Sequence, residues 1–94
     1  MVTADTLNAG VHFPADAPPA DIGWKALAVN LSDLASMGAR PAWCTLSLSL
    51  PGDDTAWLDA FLDGFLGLAD THAVALVGGD TTRGPLSIAV TAMG

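Results

Sequence analysis

The acid whose surroundings say most is Asp33. At about 100° per residue, Trp24, Leu27, Ala28, Leu31, Leu34 and Ala35 make one broad apolar helix face. Asp33 projects from the other side, among Ile22, Ala26, Val29 and Met37. Its neighbours three and four positions away are Asn30, Ser36, Val29 and Met37, none of them cationic. A carboxylate on such a face is costly to bury unless a positive charge arrives, and a metal ion would supply one. The alternative is an exposed Asp on the solvent side of the helix, and the helix by itself leaves both readings open.

A second cluster is Gly78-Gly79-Asp80-Thr81-Thr82-Arg83-Gly84. Read as a polar, glycine-rich loop after a short apolar strand, it places Asp80 at a strand end. Glycines let a backbone approach a ligand closely, and successive N–H groups in a turn can cradle phosphate oxygens. Thr81 and Thr82 add hydroxyls, and Arg83 adds a guanidinium fork suited to phosphate. The motif is not a Walker A loop, since no GxxxxGK[ST] occurs. The bland alternative is an ordinary Gly-Gly turn. Asp5, in Thr3-Ala4-Asp5-Thr6-Leu7, and His12, in Gly10-Val11-His12-Phe13, say little by themselves. A histidine beside a phenylalanine is more often packed than functional. His72 falls at a helix C-terminus, where the dipole favours it, and is assigned no chemistry.

The charge balance is what points to divalent cations, which carboxylate oxygens bind well. The 94 residues hold ten acids against three bases, for a net charge of −7, and every acid is aspartate. With only Lys25, Arg40 and Arg83 there is no basic stripe to meet a nucleic-acid backbone or an anionic membrane. An acidic domain can still bind a polyphosphate if cations come between them. For most of the ten, the plainer role of keeping an apolar chain in solution is the better reading. The hydrophobic fraction of 51% is high for so short a chain. It implies a rich core or apolar surface left for a partner, and fits a partial chain or an obligate oligomer. Cys44, alone, cannot form an internal disulfide and reads as a small buried hydrophobe. There is no leader pattern and no run of 18 apolar residues, so the location expected by default is cytoplasmic.

The elements that must position these residues follow from pattern. A strand is expected from Val2 to Leu7, then an extended loop through Pro14, Pro18 and Pro19. Asp21 is the expected N-cap of a helix running to about Met37, stopped by Gly38 and Pro41. Trp43–Leu50 alternates as a half-buried strand, with Cys44, Leu46, Leu48 and Leu50 inward. After Pro51 and Gly52, Asp54 or Thr55 caps a second helix to about Asp70. Its apolar stripe is Trp57, Leu58, Phe61, Phe65 and Leu68; Asp59, Asp63 and Asp70 form a solvated face. A short strand, Ala73–Val77, precedes the glycine-rich segment, and Leu86–Ala92 is the last strand. The order is β-α-β-α-β-β in one α+β unit.

Taken together, the stretches Asp5-Thr6-Leu7 with Gly10-Val11-His12-Phe13, Lys25 through Met37 with its Asn30-x-x-Asp33, and Gly78 through Gly84 resemble the thiamine-monophosphate kinases. These kinases belong to the group sharing the aminoimidazole-ribonucleotide-synthetase N-terminal domain. The resemblance covers essentially all 94 residues in order. It implies a mixed sheet with two helices packed on one face. It also implies ATP-dependent phosphorylation of thiamine phosphate to thiamine diphosphate, by direct transfer, with Mg²⁺ as cofactor and ATP as co-substrate.

On the family pattern Asp5 and Asp80 match magnesium ligands, and Asp33 matches the aspartate that bridges more than one ion. Thr3 and Ala4 align with a hydroxyl pair that also meets magnesium. Gly79 and Asp80 match the nucleotide-binding turn, and His12 matches a substrate-contacting histidine. Ala4 departs from the pattern and removes one hydroxyl, leaving only a main-chain oxygen there. Leu62 departs where the family often has a tyrosine near ATP. The resemblance further implies a homodimer formed through the sheet, an upstream acidic segment and a C-terminal domain beyond Gly94. The 94 residues alone are therefore expected to be inactive. Two alternatives remain: another synthetase of the same superfamily, of selenophosphate or purine-pathway type, and a non-catalytic dimerisation module of this fold.

Overall fold

Prolines set where the first helix begins. Pro18 is the N-cap and Pro19 the first helical residue of α1 (Pro19–Ser36), a position where the missing N–H would have had no helical partner. Asp21, expected as the cap, lies instead inside the first turn, where its charge suits the helix dipole. The remaining elements of this computed structural model, which describes residues 1–14, 16–52 and 54–94, are β1 (Val2–Asn8), β2 (Trp43–Leu50), α2 (Thr55–Thr71), β3 (Ala75–Arg83) and β4 (Ser87–Met93). Asp54 caps α2, its Oδ1 accepting from the Trp57 N–H at 2.9 Å.

The sheet is four-stranded in the order β1-β4-β2-β3. The pairs β1/β4 and β4/β2 are antiparallel and β2/β3 is parallel, so the sheet is mixed, as expected. Alternation dictates which face is covered. Cys44, Leu46, Leu48 and Leu50 of β2 and Ile88, Val90 and Ala92 of β4 are buried beneath both helices. Against them pack Ile22, Leu27 and Leu34 of α1 and Phe61 and Phe65 of α2, all essentially inaccessible. Phe61 stacks between Trp57 and Phe65, with ring centroids 5.3 and 6.1 Å away. The helices meet backbone to backbone: a Cβ on Gly23 would lie 2.1 Å from the Phe61 carbonyl oxygen, and one on Gly64 1.9 Å from that of Ala20. Asp59, Asp63 and Asp70 are exposed, as a solvated face requires. Among the described residues, no helix is long and apolar enough to cross a membrane.

Two further expectations fail. The buried stripe of α1 is Ile22, Gly23, Ala26, Leu27, Asn30, Leu31 and Leu34, whereas Trp24 is 54% exposed. Because α1 is wedged between the sheet and α2, the buried arc is set by those two neighbours and not by the largest apolar side chains. The other failure concerns the glycine-rich segment, which is not a loop. β3 runs from Ala75 through Arg83 and pairs with β2 to Leu50, after an irregularity at Cys44/Thr45. It is also an edge strand, exposed along its whole length.

Candidate functional site

Asp5 and Thr3 lie on the helix-covered face of β1, and Ala4 lies on the opposite face. The register decides this: Asp5 stands beside Val90, and Val90 beside Leu46, both buried under the helices. Asp5 is half-buried, and its Oδ1 accepts from the Thr6 N–H at 3.0 Å. Any oxygen that residue 4 offers towards Asp5 is therefore the main-chain carbonyl. Thr3 Oγ1 donates to Asn30 Oδ1 at 2.9 Å, tying β1 to α1. Lys25 Nζ, nearer the start of α1, donates to the His12 carbonyl at 2.5 Å, beyond the end of β1. These two bonds show that α1 runs antiparallel to β1.

Asp33 follows Asn30 by one turn, in line with the buried row Ile22, Ala26 and Asn30, yet it is exposed. The premise of a buried acid without a cation does not hold. What remains is an accessible carboxylate on the α1–β1 edge, with Asp5 on the other side of the Thr3–Asn30 bond. The loop after β1 folds on itself, Asn8 O accepting from the N–H groups of Val11 at 3.2 Å and His12 at 3.0 Å. His12 Nδ1 accepts from the Asn8 N–H at 2.9 Å. The ring nitrogen free to donate outward is therefore Nε2, and the side chain is exposed.

Asp80 is elsewhere. Ser47 Oγ donates to its Oδ1 at 2.6 Å, and Ser47 lies on the face of β2 away from the helices. Asp80 is thus on the open face of one edge strand, and Asp5 on the covered face of the other. Three strand spacings, roughly 14 Å, separate the two strands. Among the described residues no group of three or more His, Cys, Asp or Glu side chains is placed to hold a metal ion. One copy of the chain brings Asp5, Thr3 and Asp33 to one edge and does not bring Asp80 to them.

Gly79 has φ 147°, and a Cβ there would lie 1.8 Å from the Leu46 carbonyl oxygen. The glycine lets β3 hug β2 and carry Asp80 into pairing with Ser47. A groove of about 460 Å³ opens between α2 and β3, lined by Leu58 and Leu62 of α2, Leu46 and Leu48 of β2, and β3 from Leu76 through Gly79 and Asp80. It adjoins a second of about 240 Å³ that shares Leu58 and Thr81 and is lined further by Thr82, Arg83 and Asp54. An apolar compartment thus leads into a polar one, and Leu62 belongs to the apolar part.

The open sheet face has its own pattern. Val2, Met93, Trp43 and Ala75 form one row across all four strands; Val2 is 63% and Trp43 53% exposed. The rows beyond it are small residues such as Ala4, Thr91, Thr45 and Gly78. Away from these surfaces, burial pushes the Cys44 thiol above its ordinary pKa, in keeping with a packing role.

Sequence reasoning assigned no role to Ser47, Lys25 or Asn30. Ser47 is one of several alternating polar residues of β2, and only the β2/β3 register singles it out. Asn30 carried a faint signal, an amide in a helical run of apolar residues.

A family model described as AIR synthase related protein, N-terminal domain, matches residues 1–94. The thiamine-monophosphate kinase of Escherichia coli K12 is 59% identical over 87 residues, covering 93% of this chain and 27% of the relative. A crystal structure of thiamine-monophosphate kinase from Stenotrophomonas maltophilia K279a superposes with a TM-score of 0.98 at 71% identity, over 100% of this chain and 30% of that one. AaThiL complexed with AMPPCP and TMP superposes with a TM-score of 0.92 at 34% identity, over 97% of this chain and 30% of that one. The chain thus spans under a third of the length of these relatives. It belongs to the AIR synthase related family, as an N-terminal domain of the kind found in thiamine-monophosphate kinases.

Proposed function

We propose that the protein carrying this chain is an ATP- and Mg²⁺-dependent thiamine-phosphate kinase. In that reaction a phosphate oxygen of thiamine phosphate attacks the γ-phosphorus of ATP. The bond to the bridging oxygen of ADP breaks, and thiamine diphosphate and ADP result. The observation that carries the reading is the likeness, in sequence and fold, to a kinase complexed with AMPPCP, an ATP analogue, and TMP, read as thiamine monophosphate.

The chain's own surfaces fit parts of the task. The apolar wall of the groove at Leu58, Leu62 and Leu76 suits a nucleotide base, and Thr81 and Arg83 next to it suit phosphate oxygens, whereas the Thr82 hydroxyl donates to the Leu48 carbonyl at 3.4 Å. Leu62 gives the base a flat apolar contact without the stacking an aromatic side chain would add. His12, with Nε2 as outward donor, suits the phosphate of the second substrate. Asp5, Asp33 and Thr3 present hard oxygens on one edge, the donor set magnesium takes. When bound, Mg²⁺ neutralises charge on the transferring phosphoryl group; positioning and charge neutralisation supply most of the catalysis in such transfers.

Asp80 joins this set only through a second copy of the chain. Its place on the opposite edge and opposite face supports a homodimer in which the open sheet faces meet and the β1 edge of one subunit lies beside Asp80 of the partner subunit. The exposed row of Val2, Trp43, Met93 and Ala75 gives such a pairing an apolar contact. The same row favours the second reading, a non-catalytic dimerisation module.

The full-length protein, offered thiamine phosphate, selenide or purine-pathway intermediates with ATP and Mg²⁺, should phosphorylate thiamine phosphate alone. The 94 residues by themselves should not. Turnover of selenide or a purine intermediate in place of thiamine phosphate would sink the kinase assignment. Absence of Mg²⁺–nucleotide binding would favour the module.

A further inference from the structure

Asn30 is the one fully buried polar side chain among the described residues, with 0% of its surface exposed. It sits in the middle of the sheet-facing row of α1, between Ala26 and Leu34, where an apolar residue would pack without the cost of desolvating an amide. Its Nδ2 turns back on its own helix, donating to the Ala26 carbonyl at 3.3 Å. Its Oδ1 accepts the Thr3 hydroxyl at 2.9 Å. A pair of apolar residues of similar shape could replace this pair at little net loss of stability, so holding α1 to β1 does not by itself account for it.

The chemical effect falls on Thr3. A threonine hydroxyl has one proton and two lone pairs, and it normally rotates to suit its neighbours. Here the proton is committed to Asn30 Oδ1. The oxygen can then act towards anything outside only as an acceptor, and its lone pairs are held in a fixed direction. Thr3 lies on the same face of β1 as Asp5, and Asp33 follows Asn30 by one turn on α1. An acceptor-only oxygen flanked by two carboxylates suits a hard divalent cation and disfavours an anion.

We propose that Asn30 is a positioning residue which, by holding the Thr3 proton, fixes the Thr3 hydroxyl as an oxygen ligand for a divalent cation between Asp5 and Asp33. The inference rests on the magnesium reading of those two aspartates and adds a residue to it that touches no metal. Outer partners of this kind set ligand direction, and their loss weakens metal binding by about ten- to a hundredfold.

The test uses Mn²⁺ as probe, its binding to the full-length protein followed by electron paramagnetic resonance, beside thermal unfolding. Asn30→Leu and Thr3→Val should each weaken Mn²⁺ binding by about tenfold. The double variant should be no weaker than Thr3→Val alone, and Thr3→Ser, which keeps the hydroxyl, should bind as wild type does. Should Asn30→Leu not fold, Asn30→Ala serves with the same expectation. A folded Asn30 variant with wild-type Mn²⁺ affinity overturns the proposal, whatever its unfolding temperature, and so does additivity of the two losses. Asp33→Asn separates the two levels: retained Mn²⁺ affinity there removes the magnesium reading and this proposal together. A loss there, with none in the Asn30 variants, removes only the positioning role.

Discussion

Asp33 and Asp5 differ in what supports them. The argument that a buried carboxylate demands a counter-charge does not apply to Asp33, because it is exposed. An exposed acid costs little to keep, and its substitution has little to remove from the fold. Asp33→Asn should therefore change stability by less than about 0.5 kcal/mol while weakening divalent-metal binding by at least roughly tenfold. Chemical denaturation and a Mg²⁺ titration of the same samples measure both. A large loss of stability with metal affinity intact would make Asp33 structural. His12 illustrates how one bond assigns chemistry: with Nδ1 accepting from the Asn8 N–H, the outward nitrogen is a donor. Lys25 helps hold that loop through the His12 carbonyl.

At the scale of elements, β3, which carries the proposed ligand Asp80, is the strand with least packing. It is exposed throughout, paired on one side only, and thinly covered by α2. Its attachment depends on Gly79, where a Cβ would collide with the Leu46 carbonyl oxygen at 1.8 Å. Gly79→Ala should pull β3 away from β2 at that level, break the Ser47–Asp80 pairing, and destabilise the domain by about 2–4 kcal/mol. Equilibrium unfolding, with hydrogen exchange at β3 amides, reads the effect. Unchanged exchange at Leu48 and Thr81 would show that the strand absorbs the clash. The Gly23 and Gly64 contacts make a parallel point for the helices, whose backbones approach more closely than any side chain permits.

For the whole molecule, the decisive fact is the separation of Asp5 from Asp80 across the sheet. A pairing of open sheet faces would close that gap, and Trp43 stands in the middle of the exposed apolar row that would form its seam. Trp43→Glu should convert a dimer into monomers in sedimentation of the full-length protein, because a charge at the centre of an apolar contact is costly to desolvate. The fold of the domain should survive, since Trp43 is 53% exposed. A dimer that persists in Trp43→Glu would require a different interface.

Much of the fold was readable in the chain. The alternation of Trp43–Leu50 gave β2 with its inward face, and the spacing of Phe61 and Phe65 gave α2, because period and burial are local properties of a sequence. The motif stretches pointed to the family, which the likeness to known kinases bears out. The rest depended on neighbours. Residues 78–82 read as a loop, since Gly78, Gly79 and Asp80 are poor strand formers, and became strand because β2 supplied a parallel partner. The buried arc of α1 shifted because the sheet and α2 enclose it on two sides. The placement of Asp80 opposite Ser47, the bond from Thr3 to Asn30 and the distance between the aspartates all follow from strand order and register. A sequence does not display these, because they join residues 27 to 33 positions apart through pairings made only once the sheet has assembled.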